Sequence, residues 1–272
     1  MRAVTGRASE RAMSSTIVFD IESIPDVAGL RTLHGLDASL SDAEVAEFAF
    51  QKQRAKNGSD FLPHYLQRVI VISYALRDGE KFLVRSLAEP ESNEAQIIQR
   101  FYDGIEKFTP QLISWNGGGF DLPVLHYRGL INGAVAPRYW EMGEGDYRDA
   151  RDFKWNNYIG RYHMRHLDLM DLLAMYQPRA SAPLDQLAKL MGLPGKQSMA
   201  GDAVWPAWLD GRIDDIRDYC ETDVVNTYLV YLRFQKMRGM LTPAEHDTEV
   251  AFVREHLAAL KKPHWEAFLA EG

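Results

Sequence analysis

The sequence predicts a single α/β domain in which helices cover a central sheet. Short runs rich in β-branched and aromatic residues alternate along the 272 residues with longer stretches of helical apolar spacing. The first run, residues 16–21, is apolar on both sides, which is typical of a strand inside a covered sheet. With 46% apolar and 25% charged residues, the chain has the composition of a globular protein with a sizeable core.

The strand signals define the sheet. Residues 68–77 and 81–87 predict two strands joined at Asp78-Gly79, a dipeptide that favours tight hairpins. The remaining predicted strands are residues 16–21, 111–115 and 166–169.

The helix signals fill the intervals between the strands. Ser41 and Glu44 form a capping box that begins a helix running toward residue 56. Apolar spacing with glycine and proline boundaries predicts the other helices at residues 91–108, 121–130, 183–191, 213–236 and 242–260. Residues 133–165 lack a clear period and are predicted to be irregular.

The domain organisation follows from these elements. We expect residues 1–13 to be a disordered leader and residues 14–272 to form one domain. Its motifs lie within residues 15–240, and a C-terminal helix follows at 242–260.

Charge and composition limit the possible functions. The net charge of −7 argues against a protein that coats nucleic acid by charge alone. It allows an enzyme that holds a few nucleotides at one strand end. The longest apolar runs are too short to cross a bilayer, so we expect no membrane association. The single cysteine, Cys220, cannot form an internal disulfide, which fits the cytoplasm, and is expected to be a small buried residue.

An acidic pair follows the first predicted strand. Asp20 and Glu22 are two residues apart, so their side chains share one face of the strand. They lie at the carboxyl end of the strand, where covered sheets place ligands. The pair either shares a cation or is solvated where the strand leaves the core.

A glycine-rich turn forms the second acidic segment. It runs from Asn116 through three glycines to Phe120 and Asp121, and no Lys-Ser/Thr follows, so it is not a phosphate-binding P-loop. Asp121 either caps the next helix or faces the first acidic pair across the neighbouring strand end. Asn116 either caps the loop or contacts a nucleotide, and we place Phe120 beside it as a substrate contact.

The third segment is on a long predicted helix. Tyr219 and Asp223 are one turn apart on the same face. Asp223 falls within the buried apolar stripe that includes Ile216 and Val224, whereas Glu221 lies off the stripe and is expected to be solvated. A buried carboxylate needs a partner, which is either a metal ion or a basic side chain.

These three segments together resemble the Exo I, Exo II and Exo III motifs of the DEDD (DnaQ-like) 3′–5′ exonuclease superfamily. The Tyr-x-x-x-Asp form of the third resembles the tyrosine subgroup. The wider sequence is similar, over about residues 15–240, to stand-alone exonucleases related to the proofreading domain of family-B DNA polymerases. This similarity includes Ser-Trp-Asn before the glycines, Phe-Asp-Leu-Pro after them, and His-Leu-Asp-Leu-Met-Asp at residues 166–171.

The resemblance implies a fold and a cofactor. The expected fold is RNase H-like, with a five-stranded mixed sheet and helices on both faces. The expected cofactor is a pair of Mg²⁺ or Mn²⁺ ions. By the resemblance, Asp20 bridges both ions, and Glu22 and Asp223 complete the site that activates water. Asp121 supports the second ion beside the leaving oxygen, and Tyr219 positions the attacking water. The four acids are therefore the expected metal ligands.

Candidate substrate contacts lie outside these motifs. Residues 155–165 interleave aromatic and positively charged side chains, a combination that binds single strands by stacking and charge neutralisation. Trp155 and Arg161 are the contacts we select there, and the alternative is that these aromatics pack the insertion against the core. Lys196, in a glycine-rich loop before the third segment, is expected to reach a phosphate.

Four further polar residues are not expected to take part directly in catalysis. Asp168 and Asp171 are expected to be structural or to support metal ligands from behind. His163 and His166 could form a metal pair, but the favoured interpretation is an ordinary loop histidine and an ordinary strand histidine.

The predicted function is a two-metal-ion 3′–5′ exonuclease that releases nucleotides from single-stranded DNA 3′ ends. The alternative is an exoribonuclease or oligonucleotidase with the same chemistry, because metal sites contact phosphates and phosphates do not distinguish the sugars. A non-catalytic module that binds nucleic-acid ends is the third candidate, and the complete set of acids argues against it. No protein partner is indicated.

Overall fold

The computed structural model describes residues 15–87, 92–195 and 199–271. Five strands form one sheet in the order β3-β2-β1-β4-β5. They are β1 (Thr16–Pro25), β2 (Gln67–Asp78), β3 (Lys81–Ser86), β4 (Gln111–Ser114) and β5 (His166–Asp168). The pairs β1–β2 and β2–β3 are antiparallel, and β1–β4 and β4–β5 are parallel. This mixed five-stranded sheet confirms the predicted fold class.

A register shift interrupts the pairing of β1 with β2 directly after the acidic pair. Glu22 lies opposite Val71, but the next residue, Ser23, lies opposite Val69. Bulges of this kind bend a strand, increase its twist and redirect its side chains. The shift therefore falls immediately after the two acids, where β1 continues its pairing with β2 in a new register.

Helices surround the sheet. Three short 3₁₀ turns, His64–Leu66, Pro178–Ala180 and Gly201–Ala203, lie between them. The helices are α1 (Val27–His34), α2 (Asp42–Asn57), α3 (Glu94–Phe108), α4 (Asp121–Asn132), α5 (Ala150–Phe153), α6 (Leu169–Leu173), α7 (Leu184–Leu190), α8 (Val204–Leu209), α9 (Ile213–Met237), α10 (Pro243–Ala259) and α11 (Pro263–Glu271).

Two apolar cores lie on opposite faces of the sheet, because successive side chains of a strand alternate between faces. On one face, Phe19 of β1 packs with α3 and α4 through Phe101 and Leu125. On the other face, Val18 packs with the second half of α9 and with α10 and α11. Helices therefore cover both faces, as predicted, and α9 contributes to both cores.

The leader proposed at residues 1–13 lies outside the described residues, and the division into a leader and one domain stays a prediction. Among the helices that the structure describes, none is long and apolar enough to cross a membrane.

Candidate active site

The acidic pair of β1 lies beside the middle of α9. Asp20 is half-buried and Glu22 is buried. The Cys220 thiol donates weak hydrogen bonds to the backbone oxygen and to Oδ2 of Asp20, with S···O distances of 3.6 and 3.7 Å. One ligand atom from each of Asp20, Glu22 and Cys220 lies within 4.8 Å of the other two. The two carboxylates thus face the helix that carries the third motif.

The glycine turn after β4 is compact. Asn116 has a φ of +66°, and its carbonyl accepts the backbone N–H groups of Gly119 and Phe120. A Cβ on Gly117 would lie 2.3 Å from Oγ of Ser114, and a Cβ on Gly119 would lie 2.4 Å from Oδ1 of Asn116. A Cβ on Gly117 would also lie 2.5 Å from Cβ of Ser114, so the turn needs glycine there to bring Asp121 back toward β1, whereas a Cβ on Gly119 would displace only the Asn116 amide.

Asp121 does not cap α4. It is the first residue of the helix, the N-cap position belongs to Phe120, and the cap makes no side-chain hydrogen bond. Instead, Oδ1 of Asp121 accepts the backbone N–H of Ile21, between the two acids of β1, at 3.1 Å. The capping interpretation is therefore wrong, because the side chain points across the sheet edge instead of back along its own helix.

The pKa of Asp121 reflects this crowding. Burial raises the pKa to about 7, and the nearby Asp168 carboxylate also acts to raise it, while hydrogen bonds from backbone N–H groups and to Asp20 lower it. A side-chain hydrogen bond joins Asp121 and Asp20. The first two motifs are thus in direct contact.

The third motif meets the first across the α9–β1 contact. Tyr219 and Asp223 are both buried, as the stripe on α9 predicts for Asp223. Burial raises the pKa of Tyr219 far above its usual value, and the carboxylates of Asp223, Glu22 and Asp20 add to this shift. The Tyr219 hydroxyl donates a hydrogen bond to Asp223. All five residues singled out in the sequence therefore lie at one place.

Glu221 contradicts its sequence-based expectation. Its side chain is buried, whereas the stripe predicted a solvated one. It accepts hydrogen bonds from Ser86 of β3 and from Lys262, and His264 of α11 lies 3.3 Å away. The sequence analysis did not predict α11, and this missing helix is the physical reason for the error.

Asp168 holds the glycine turn in place. Its Oδ1 accepts the backbone N–H of Asn116 at 3.0 Å, and its Oδ2 accepts that of Gly118 at 2.9 Å. Oδ1 also accepts the N–H of Asp171 and so caps α6. Asp168 therefore supports the turn that positions Asp121, which is a supporting role of the kind expected for it.

The proposed substrate contacts are dispersed. Phe120 packs with Phe61 and His64, at ring-centroid distances of 5.4 and 5.8 Å, and His64 Nε2 lies 3.2 Å from the Gly119 carbonyl. Sequence reasoning missed Phe61 and His64, because no signal in the sequence connects them with a turn about 55 residues later. Trp155 is 76% exposed. Lys196 lies outside the part of the chain that the structure describes.

Arg161 already has a carboxylate partner. Its guanidinium makes two hydrogen bonds to Asp171, each of 2.7 Å. Elsewhere in the 155–165 stretch, Tyr158 is buried and Arg165 lies over the Phe153 ring at 3.9 Å. This half of the stretch packs the insertion, as the alternative interpretation proposed.

The two histidines do not form a metal pair. His163 Nδ1 accepts the backbone N–H of Asn157 at 3.1 Å, while His166 Nε2 lies 2.8 Å from the Ser114 hydroxyl. These separate partners confirm an ordinary loop histidine and an ordinary strand histidine.

The donor set fits hard divalent cations. Asp20, Glu22, Asp121 and Asp223 present carboxylate oxygens, which are the ligands that Mg²⁺ and Mn²⁺ prefer. Burial raises the pKa of the Cys220 thiol well above its usual value, as do the neighbouring carboxylates, so the sulfur stays protonated. The residues present therefore match the oxygen ligands of such ions.

A family model matches most of the chain. The model, described as a predicted 3′–5′ exonuclease related to the exonuclease domain of PolB, matches residues 59–272. The chain belongs to this family. The match includes the glycine turn and α9, and it begins after the acidic pair of β1. It confirms the predicted enzyme class, a 3′–5′ exonuclease, and the relationship to family-B polymerases.

Individual relatives agree with this assignment. The catalytic polypeptide of DNA polymerase epsilon from Emericella nidulans is 24% identical over 234 residues, which cover 76% of this chain and 10% of the polymerase. A DNA polymerase of Pyrococcus glycovorans is 25% identical over 181 residues, 64% of this chain and 23% of the polymerase. The chain thus spans less than a quarter of either polymerase.

A solved structure is also similar. E. coli Exonuclease I in complex with a 5cy-dT13 oligonucleotide aligns with a TM-score of 0.42 and 14% identity, over 92% of this chain and 45% of that one.

Proposed function

We propose that this protein is a two-metal-ion 3′–5′ exonuclease that releases nucleotides from the 3′ ends of single-stranded DNA. The observation that supports it most is the convergence of three segments, each about 100 residues from the next in the chain, on one group of acids. Asp121 contacts both Asp20 and the backbone of Ile21. The charges of both β1 acids raise the pKa of Tyr219. Such crowding of carboxylates costs free energy unless bound cations or protons offset it.

The positions of the acids suggest how they would divide the ions. Asp20 would hold both, since it contacts Asp121 and also lies within 4.8 Å of Glu22. Glu22 and Asp223 would complete one site, and Asp121 would support the other. When bound, the two ions lower the pKa of the attacking water and neutralise charge on the phosphate.

The other residues would orient and support the reacting groups. Tyr219 keeps its proton at neutral pH, because burial and the neighbouring carboxylates raise its pKa. Its hydroxyl can therefore act as a hydrogen-bond donor that orients Asp223 and the attacking water. Asp168, through the backbone N–H groups of Asn116 and Gly118, keeps Asp121 at the required place.

DNA is the substrate that the relatives favour, since the two polymerases with similar sequences are both DNA polymerases. The net charge of −7 fits an enzyme that contacts only a few nucleotides near one end. A cytoplasmic enzyme is consistent with the single, fully buried cysteine.

Digestion of a 5′-labelled single-stranded oligonucleotide tests the proposal. With Mn²⁺ or Mg²⁺ we expect a ladder of shortened products, and none with EDTA. Asp20→Ala and Asp223→Ala should each lower the rate by at least about 10²-fold, as removal of one preorganised stabilising group does. Asp214→Ala is the matched control, because Asp214 is on the same helix with an 86% exposed side chain.

Three outcomes would contradict the proposal in different ways. Degradation by Asp20→Ala and Asp223→Ala at the wild-type rate would remove the assigned site. Faster digestion of RNA than of DNA of the same sequence would favour the exoribonuclease alternative. Oligonucleotide binding without Mn²⁺ binding would favour a non-catalytic module.

A further inference from the structure

A cavity of about 850 Å³ borders the glycine turn that precedes Asp121. The glycine turn lines one wall through Gly118 and Gly119, followed by Leu122 and Pro123 of α4. These residues directly precede and follow the segment of Phe120 and Asp121. The cavity therefore borders the same chain segment that carries Asp121. Its volume is within the range of about 300–1,000 Å³ that is usual for ligand sites.

The opposite wall comes from the insertion and from α6. It includes Tyr158, Ile159, Arg161, Met170 and Asp171. Tyr158 is buried, and Ile159 is 37% exposed at the cavity surface. Tyr158 is already stacked on Tyr139, so the wall offers a ligand the side chains of Ile159 and Met170 beside the Arg161–Asp171 pair. A flat, largely apolar group can pack against the two apolar side chains.

The charges of the cavity do not favour a phosphate. Both oxygens of Asp168 accept backbone N–H groups, and the Arg161 guanidinium is paired with Asp171. A phosphate would therefore meet two carboxylates and an arginine that is already neutralised. An uncharged ring with hydrogen-bonding edges would meet no such repulsion.

Two imidazoles supply uncharged polar groups. His126 and His166 both line the cavity, and their Nε2 atoms lie 2.8 Å from the hydroxyls of Tyr139 and Ser114 respectively. Burial lowers the pKa of both histidines to about 4, so both are neutral at physiological pH. Neutral imidazoles and the Asn116 side chain offer the hydrogen-bonding character that a heteroaromatic ring requires.

We propose that this cavity receives one unstacked nucleobase of the strand whose 3′ end is at the acid group. This inference rests on the proposed exonuclease function and adds a base-binding subsite to it. Gly118 and Gly119 are exposed and carry no side chain, so the sugar-phosphate backbone of the strand can cross the turn there. The base on the 5′ side of this crossing enters the cavity, while the 3′-terminal nucleotide remains beside the acids.

An abasic-site scan tests the subsite on the wild-type protein. A single abasic residue is moved inward, one position at a time, from the 3′ end of a 5′-labelled oligothymidylate. One position close to the end should raise KM by about 10- to 150-fold, which is the range expected when one buried apolar ring is removed. The other positions, outside the terminal nucleotide, should have much smaller effects.

A cavity-filling variant sharpens the test. Ile159→Trp should narrow the cavity next to this side chain and weaken the position dependence, so that the KM values of intact and abasic oligonucleotides differ less than in the wild type. Ile131→Trp is the matched control, since Ile131 is 60% exposed on α4 and does not line the cavity. It should keep the wild-type profile.

The outcomes separate the two proposals. If the wild-type protein degrades no oligonucleotide with either metal, the exonuclease function itself fails. If it degrades intact and abasic strands equally at every position, the exonuclease function stands and the subsite is refuted. The same refutation follows if Ile159→Trp keeps the wild-type dependence on abasic position.

Discussion

Two groups of acids contact α4, and they differ in the partners of their carboxylates. The first contains Asp20 and Asp121. The second contains Asp26 and Glu94, which are joined by Arg128 of α4. Arg128 donates to Asp26 at 2.5 Å and makes two hydrogen bonds, of 2.8 and 2.5 Å, to Glu94.

Among the donors to the first group are the Ile21 N–H, which donates to Asp121, and the Cys220 thiol, which donates to Asp20. The second group is a closed structural unit, because its guanidinium is part of the chain. The first group brings carboxylates into contact with each other. The comparison teaches that contact between carboxylates, and not burial or acidity alone, distinguishes a candidate metal site from a structural ion pair.

The largest difference should appear in stability. Arg128→Met leaves two buried carboxylates without their cation, and we expect the free energy of unfolding to fall by about 3–5 kcal/mol. Asp20→Asn instead removes one charge from a crowded group, so the metal-free variant should be at least as stable as wild type. Urea unfolding with EDTA measures both. Arg54→Met is the control, because Arg54 pairs with Glu47 and Asp60 at the exposed surface, and it should change little.

This comparison would break if Asp20→Asn lost as much stability as Arg128→Met. Such a result would mean that the first group is also a structural unit.

An intermediate effect on catalysis or metal affinity is expected from Asp168, which holds the turn that positions Asp121. Asp168→Asn weakens the bonds that hold the Asn116 and Gly118 amides, so Asp121 becomes less well positioned. We expect kcat or the Mn²⁺ affinity to fall by about 10- to 100-fold, as for other residues that orient metal ligands. Steady-state kinetics and metal titration measure these quantities. The exposed Asp103→Asn should match wild type, and equal rates for both variants would contradict the positioning role.

The smallest effect concerns pH. Burial raises the pKa of Asp121 to about 7 in the folded protein, from an ordinary value of 3.8. The folded protein therefore holds a proton between these values, and the associated stability is lost as the pH rises through about 7. Without metal, the melting temperature should fall from about pH 5 to about pH 8, and Asp121→Asn should reduce this fall.

The same proton should compete with the metal. Mn²⁺ affinity should rise with pH up to about 7, by at most about tenfold per unit if one proton is displaced. Calorimetric titration at about pH 6, 7 and 8 measures this slope, and an affinity independent of pH would contradict it.

Much of the molecule could be predicted because its signals are local. The alternation in β1 places Asp20 and Glu22 together, and the stripe on α9 places Asp223 inside. The Asp78-Gly79 signal correctly predicts the hairpin, with Lys81 of β3 opposite Asp78. Each of these depends on residues within a few positions of one another.

The incorrect predictions concern features that depend on contacts between residues far apart in the sequence. The predicted helices did not include α1, whose N-cap Asp26 is held by Arg128 about 100 residues later. They did not include α11 either, and the burial of Glu221 was therefore not predicted. The direction of the Asp121 side chain was ambiguous because an Asp two residues before proline suits a helix cap as well. Only the neighbouring strand decided between the two.

Helix α4 joins the two groups of acids mechanically. Asp121 begins the helix and Arg128 lies seven residues later, which is about 10 Å along the axis. The salt bridges of Arg128 therefore fix the position of α4, and the helix in turn fixes the position of the Asp121 carboxylate. Weakening the Arg128 salt bridges would let α4 shift and would displace the Asp121 carboxylate before the protein unfolded. A change at Arg128 would therefore reduce the precision with which Asp121 is positioned.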